Sequence, residues 1–271
     1  MTVLLTLAEG NWMVHHLLEV DPLAYGGAWG VSKHVLVMAL AGLALCATFI
    51  PFGMKIKADP VPRGRMVNFF ESILLFLRDD IVRPALGKEG DRYLPVVWSF
   101  FFFILYCNLF GLIPIPVQVP VLTAGGGTEW QWLGGVTATG QIAVTGTLAL
   151  IATTWYLGLG IKNQGLIPFI RHLVPGGVPL LLVPLIFLLE VIGHLVKPAA
   201  LMIRLWANMT GGHAVLYSFI GFIFTFGAAL AVVSVPAGIA IYFLEIFVAF
   251  LQAYVFTFLM VVFLQGSLHP H

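Results

Sequence analysis

The chain has 271 residues, of which 60% are hydrophobic and 9% charged, and its mean hydropathy is +1.00. Soluble domains carry about 25% charged residues, so a water-soluble globule, a disordered chain and a nucleic-acid binder are excluded and a bilayer is the expected solvent. Thirteen basic against twelve acidic residues leave a formal net charge of +1, which is uninformative until the charges are placed along the chain. Residues 1–30 read as an outer-side segment; no Lys or Arg precedes its short apolar run, so neither a cleaved signal peptide nor an Arg-rich transit peptide is expected. The rest, 31–268, reads as one all-α integral membrane domain. Apolar runs at 31–53, 93–115 and 140–161 are each long enough to cross about 30 Å of hydrocarbon as a helix. Between the first two, Met66, Phe69, Phe70, Ile73, Leu74, Leu77 and Ile81 recur at helical spacing, with Glu71, Asp79, Asp80 and Arg83 among them. This predicts an amphipathic helix over 66–84, on or docked against the membrane surface. A cytoplasmic helix packed on a partner is the alternative.

The C-terminal third predicts a hairpin of two long helices, 179–230 and 236–267, turning around Ser234-Val235-Pro236. At 1.5 Å per residue the first would be roughly 75 Å long, more than twice the bilayer core. It must break, tilt strongly or do both, and Pro198 and Gly211-Gly212 are places to bend. Five crossings result.

Charge placement sets the orientation. Lys55, Lys57, Arg63, Arg65, Arg78, Arg83, Lys88 and Arg92 fall between the first and second spans, and Lys162 and Arg171 follow the third. The 116–139 loop has neither Lys nor Arg, and Glu9, Glu19 and Asp21 precede the first span. The positive-inside rule then puts the N-terminus outside and the C-terminus in the cytoplasm. Cys46 and Cys107 both lie in apolar runs, which excludes a disulfide framework or metal-finger spacing. His15, His16, His269 and His271 read as solvated termini, so no metal or cofactor is expected.

Between Pro179 and Gly266 only Glu190, Lys197, Arg204 and Glu245 are formally charged, and His194, Asn208, His213 and Gln252 join them. An ionisable group here costs at least about 2.5–3.5 kcal/mol to insert, so it faces a partner or water. Glu190, His194, Lys197, Arg204 and Asn208 fall within an arc of about 80° on one helix. Glu245 and Gln252 share a face of the last helix. Arg204 is mid-segment and stays protonated at any physiological pH. Such a cation needs a fixed anion or one that comes and goes; Glu245, on the return helix, is the in-chain candidate, and a carboxylate on another subunit is the alternative. Glu190 lies toward the cytoplasmic side, His213 and Glu245 toward the outer turn. Two offset half-paths separated by a cation would not leak protons as one continuous file would.

Four pieces of this sequence resemble subunit a of the F-type (proton-translocating) ATP synthase. The most specific is Lys197-Pro-Ala-Ala-Leu-Met-Ile-Arg-Leu-Trp-Ala-Asn-Met209 followed by Thr-Gly-Gly-His, similar to the family's signature around its arginine. The others are Leu251-Gln-Ala-Tyr-Val-Phe256, Asn108-Leu-Phe-Gly-Leu-Ile-Pro114 and Leu189-Glu-Val-Ile-Gly-His-Leu-Val-Lys-Pro198. The resemblance implies a stator beside a rotating c-subunit ring, in complex with peripheral-stalk b subunits and the rest of the synthase. It implies that Arg204 faces the ring's carboxylate, that Asn208, His213, Glu245 and Gln252 form the outer half-channel, and that Glu190 and His194 belong to the inner one. Many members carry Glu where this chain has His213, and His where it has Glu245; the pair is exchanged but retained. No phosphate loop is present, so the subunit is not an enzyme on its own and ATP chemistry belongs to its partners. A bacterial plasma membrane is the expected site. The competing reading is a stand-alone proton-coupled transporter or ion channel, which usually shows repeat symmetry; none is visible here.

Overall fold

The computed structural model describes residues 33–58, 64–113, 118–122, 128–132, 137–165, 168–169, 179, 182–226 and 230–268. The 1–30 segment, His15, His16, Arg63, Arg171, His269 and His271 lie outside the described residues, as do the side chains of Glu190 and His194. The chain is built of helices: α1 (Lys33–Ala58), α2 (Arg65–Phe76), a π-helical turn (Leu77–Val82), α3 (Arg83–Leu86), a 3-10 stretch (Gly87–Tyr93) and α4 (Leu94–Leu112). A small antiparallel hairpin follows, β1 (Gln118–Leu122) and β2 (Thr128–Trp132), with Gln118 opposite Trp132 and Leu122 opposite Thr128. After a 3-10 turn at Ala138–Gly140 come α5 (Ile142–Gln164), α6 (Val183–Phe226) and α7 (Ala231–Leu268). Among the described residues four helical stretches are long and apolar enough to cross a membrane: His34–Lys57, Arg65–Leu112, Ile142–Gln164 and Ala231–Leu268.

The start of the last helix differs from the expectation. Ser234-Val235-Pro236, expected at the turn, lies inside α7, which begins at Ala231. Pro236, the sixth residue of α7, lacks the N–H that would have bonded the Val232 carbonyl four residues back, and the helix continues despite that lost bond. Pro236 therefore marks an early turn of α7 and not the connection. Likewise α6 continues for 44 residues through Pro198 and Gly211-Gly212. In hydrocarbon the helix is the one conformation that pairs every backbone group within the segment, which outweighs the single bond a proline removes.

The predicted 66–84 helix is also subdivided. It runs as α-helix to Phe76, widens to a π turn and is resumed by α3, where Gly87 with φ 64° ends it in a conformation that favours glycine. Val67, Leu74, Leu77 and Ile81 are buried, whereas Met66 and Phe69 of the same apolar stripe are exposed.

The described residues form two compact units. One holds the chain up to Cys46, Phe103–Val144 and Leu205–Gln252; the other holds Ala47–Phe102, Thr145–Arg204 and the chain from Ala253. In the first, Val37 and Ala41 of α1 pack with Cys107 of α4 and Ala138, surrounded by Leu36, Met38, Phe103, Tyr106 and Phe110. Lipid is as apolar as leucine, so small residues such as Ala41, Cys107 and Ala138 bring the backbones together by van der Waals packing. In the second, Phe49, Phe70 and Phe102 cluster with ring centroids 4.6–6.0 Å apart, and the Trp98 indole N–H donates to the Leu74 carbonyl at 3.3 Å, tying α2 to α4. Tyr156 of α5 meets Phe263 of α7. The Gln164 side chain at the end of α5 donates to the carbonyls of Ser267 and Leu268 at 2.8 and 3.3 Å, capping the last turn of α7. Gly160, where a β-carbon would lie 2.9 Å from the Ser267 carbonyl, allows that approach.

An exposed clasp closes the segment between α2 and α4. The Arg83 guanidinium donates to both Asp91 oxygens at 3.1 and 2.9 Å and to Asp79 at 3.1 Å, while Arg78 donates to both Asp79 oxygens. The hydrogen bond from Arg83 holds the Asp91 carboxyl below its ordinary range, and that from Arg78 does the same for Asp79. A depressed carboxyl stabilises the folded form above its ordinary value and loses that contribution as pH falls through the folded value. Amide exchange across Gly87–Tyr93, corrected for intrinsic rates, should therefore rise when pH is lowered from neutrality past 3.8, and should already be raised at neutral pH in Arg83→Gln. Unchanged exchange in that variant would show that the clasp does not order the segment.

Candidate functional site

On α6, Leu201, Leu205, Met209 and His213 recur every four residues and are buried at 1%, 0%, 2% and 6% exposure, which fixes the side this helix turns inward. Ala200, Ile203, Arg204, Ala207, Asn208 and Gly211 form the exposed side. Arg204 thus stands outward, flanked by Ala200 and Ala207, whose short side chains leave its guanidinium accessible along the helix. Among the described residues Arg204 makes no ion pair. Lys197, seven residues earlier, is held differently: its ammonium lies 5.5 Å from the centroid of the Phe263 ring, a cation–π contact.

On α7 the buried face carries Glu245, Ala249, Gln252, Ala253 and Phe256, at spacings of a single helical stripe. Two cross-helix pairs join it to α6. The Asn208 amide donates to Gln252 Oε1 at 2.7 Å. His213 Nδ1 lies 3.7 Å from Glu245 Oε1, with both side chains 7% exposed. The His213 Nδ1–H donates to the Met209 carbonyl one turn back, at 3.0 Å. Because a carbonyl only accepts, that bond puts a proton on Nδ1. Gly212 makes the approach of Glu245 possible, since a β-carbon there would lie 2.7 Å from Glu245 Oε1. Neither Glu245 oxygen, nor Gln252 Nε2, has a hydrogen-bond partner among the described residues. A buried carboxyl so placed holds a negative charge at high cost, so it is suited to taking up and passing on a proton.

Glu190 and His194 are helical positions of α6 whose side chains lie outside the described residues. Among the described residues no three His, Cys, Asp or Glu side chains gather into a metal site. Further polar groups to which the sequence assigns no role lie in the same compact unit as His213 and Glu245: His34, Asn108, Thr139, Thr210 and Tyr242. The Tyr242 hydroxyl donates to the Leu112 carbonyl at 3.1 Å, and Thr139 to Asn108 at 2.6 Å. Asn108 was detectable as the one carboxamide in an aromatic run; His34, beside Lys33, looks like an ordinary interfacial residue.

The family model described as ATP synthase A chain matches residues 35–265, a stretch that contains both cross-helix pairs and Arg204. The chain belongs to the ATP synthase A chain family. It is 42% identical over 246 residues to ATP synthase subunit a of Myxococcus xanthus (strain DK1622), covering 89% of this chain and 75% of that protein. With ATP synthase subunit a 2 of Chlorobaculum tepidum it shares 35% identity over 277 residues, 94% of this chain and 72% of the relative. With ATP synthase subunit a of Pelodictyon phaeoclathratiforme it shares 38% over 254 residues, 92% and 68%. In this member of the A chain family, the Asn208–Gln252 bond offers a direct check of the geometry. Asn208→Ala would leave the buried Gln252 amide unpaired, at about 1–3 kcal/mol, whereas removing both partners is cheaper than removing one. Thermal denaturation in detergent should show a smaller loss for Asn208→Ala with Gln252→Leu than for Asn208→Ala alone. A larger loss in the double variant rejects the pairing.

Proposed function

We propose that this subunit is the stator of the membrane sector of an F-type ATP synthase, coupling proton flow through two offset half-channels to rotation of a c-subunit ring. Membership of the ATP synthase A chain family supports the membrane-sector role in proton transport and ATP synthesis. The observation that carries the finer reading is Arg204, a permanent cation on the outward side of a 44-residue apolar helix, without an ion pair among the described residues. A cation at that depth needs an anion, and an accessible one must come from a neighbour. In this reading the neighbour is the ring's carboxylate, and the ring packs against the exposed sides of α6 and α7, where Ile203, Phe243 and Phe247 are each more than half exposed.

The mechanism follows from electrostatics. A ring carboxyl facing lipid must be neutral, because an unpaired anion in hydrocarbon is too costly. Opposite Arg204 the ionised form is favoured, so the proton leaves into one half-path, and the other half-path reprotonates the group after it has moved on. His213, Glu245, Asn208 and Gln252 form the outer half-path; Glu190 and His194 serve the inner one. The membrane potential supplies about 2.3 kcal/mol per charge per 100 mV, so several protons are needed for each ATP. Nucleotide chemistry belongs to other subunits, and the peripheral-stalk b subunits hold this one still. The N-terminus faces outward and the C-terminus the cytoplasm of a bacterial plasma membrane.

Inverted membrane vesicles holding the assembled complex test the reading. Arg204→Ala should abolish proton-driven ATP synthesis without preventing assembly. Arg204→Lys should fail as well, since an ammonium lacks the planar fork and can lose its proton when desolvated. Near-normal coupled synthesis in Arg204→Ala would exclude this mechanism. For the outer half-path, His213→Glu combined with Glu245→His should retain more pumping than either single change; purely additive losses would argue that the two groups act independently.

A further inference from the structure

His34 and the Asn108-Leu-Phe-Gly-Leu-Ile-Pro114 motif play no part in the mechanism above, yet both meet one short segment. It is the stretch 137–141, a 3-10 turn leading into α5. His34, on the first turn of α1, donates its Nδ1–H to the Thr137 carbonyl at 3.0 Å. From α4, Asn108 accepts a 2.6 Å bond from the Thr139 hydroxyl and extends its amide toward the Ala249 carbonyl of α7 at 3.4 Å. Gly111 lies so close to Thr137 that a β-carbon would overlap both the backbone and the side chain of that threonine. From α6, the Thr210 hydroxyl donates to the Gly140 carbonyl at 3.3 Å. His34, Asn108, Thr137 and Thr139 are buried to 6% exposure or less.

These groups belong to the same compact unit as His213 and Glu245. Thr210 precedes His213 by three residues and Ala249 follows Glu245 by four, so each contact is one helical turn from a member of the pair. Tyr242, three residues before Glu245, is bonded to Leu112 beside Gly111. Two apolar helices in lipid have little to fix their sliding register, because surrounding hydrocarbon satisfies them equally well in many positions. Directional hydrogen bonds to a third element remove that freedom.

We infer that the 137–141 turn is a clamp that sets the spacing of His213 and Glu245, with His34, Asn108 and Gly111 as positioning residues for the outer proton path. This rests on reading His213 and Glu245 as that path. The role of His34 is donation to a backbone carbonyl, which an asparagine amide can reproduce without titrating.

The test is ATP-driven proton pumping in vesicles, normalised to assembled complex. His34→Ala should lower pumping roughly five-fold, the equilibrium weight of one lost hydrogen bond. His34→Asn should recover most of it, with the wild-type pH profile. Normal pumping in His34→Ala overturns the clamp, as does a His34→Asn variant no better than alanine, which would mean that titration and not donation matters. Should His34→Ala fail to assemble, Thr139→Val deletes the bond to Asn108 at nearly constant volume. Reduced pumping there supports the clamp and normal pumping overturns it. Glu245→Leu in the same vesicles separates the two readings: full pumping in it removes the outer path itself, whereas its loss alongside an unimpaired His34→Ala removes only the clamp.

Discussion

A lipid tail can neither donate nor accept a hydrogen bond, so a polar side chain at membrane depth must find its partner within the protein or on a neighbour. The described residues meet this demand in a graded way. Several short hydroxyls return to their own helix: Thr153 to Ala149, Thr257 to Ala253, Ser218 to Ala214 and Ser267 to Phe263, each four residues back. Carboxamides reach further and cross between helices, as Asn208 does to Gln252 and Gln164 to the end of α7. Charged groups are left with the fewest options. Lys197 rests on an aromatic face, Glu245 shares a buried corner with a histidine, and Arg204 turns outward. The further a group's charge exceeds what its own helix can absorb, the more it depends on something beyond that helix.

How much of this is legible in the sequence depends on the range of the interaction. Composition alone specifies a helical membrane protein, because 9% charged residues cannot cover a soluble surface. The motif around Arg204 is enough to assign the family. Local chemistry misleads at Pro236, where proline reads as a turn signal but lies inside a helix, at its sixth residue. The widening at Leu77–Val82 and the small β-hairpin have no periodic signature to announce them. Side-chain partners are harder still. Asn208 and Gln252 are 44 residues apart, and His34 and Thr137 are 103 apart, so helical spacing is silent about both. The exchange of His213 and Glu245 that the resemblance implies points to proximity, since a pair that trades places keeps its chemistry only if its members are close.

Glycine carries part of the same logic. Gly212 admits a carboxyl group, Gly111 admits a threonine and Gly160 admits a helix end, each at a distance a methyl group would occupy. In soluble proteins a glycine inside a helix is mainly a cost. Here the omitted side chain is what lets a polar atom from another element come close to a helix backbone, which in hydrocarbon is worth more than intrinsic propensity.

The bond from Gln164 to the last carbonyls of α7 has a consequence for how the protein meets bilayers of different thickness. It makes α5 and α7 end at a common level. A helix of 23 residues rises about 35 Å and one of 38 about 57 Å, a difference of about 22 Å. With the two ends knotted together, α7 cannot absorb that surplus by projecting past α5 on this side. It has to be taken up toward Ala231 or as slant within the lipid. The knot therefore acts as a depth mark: a thicker or thinner membrane changes the inclination of α7 rather than sliding it past its neighbour.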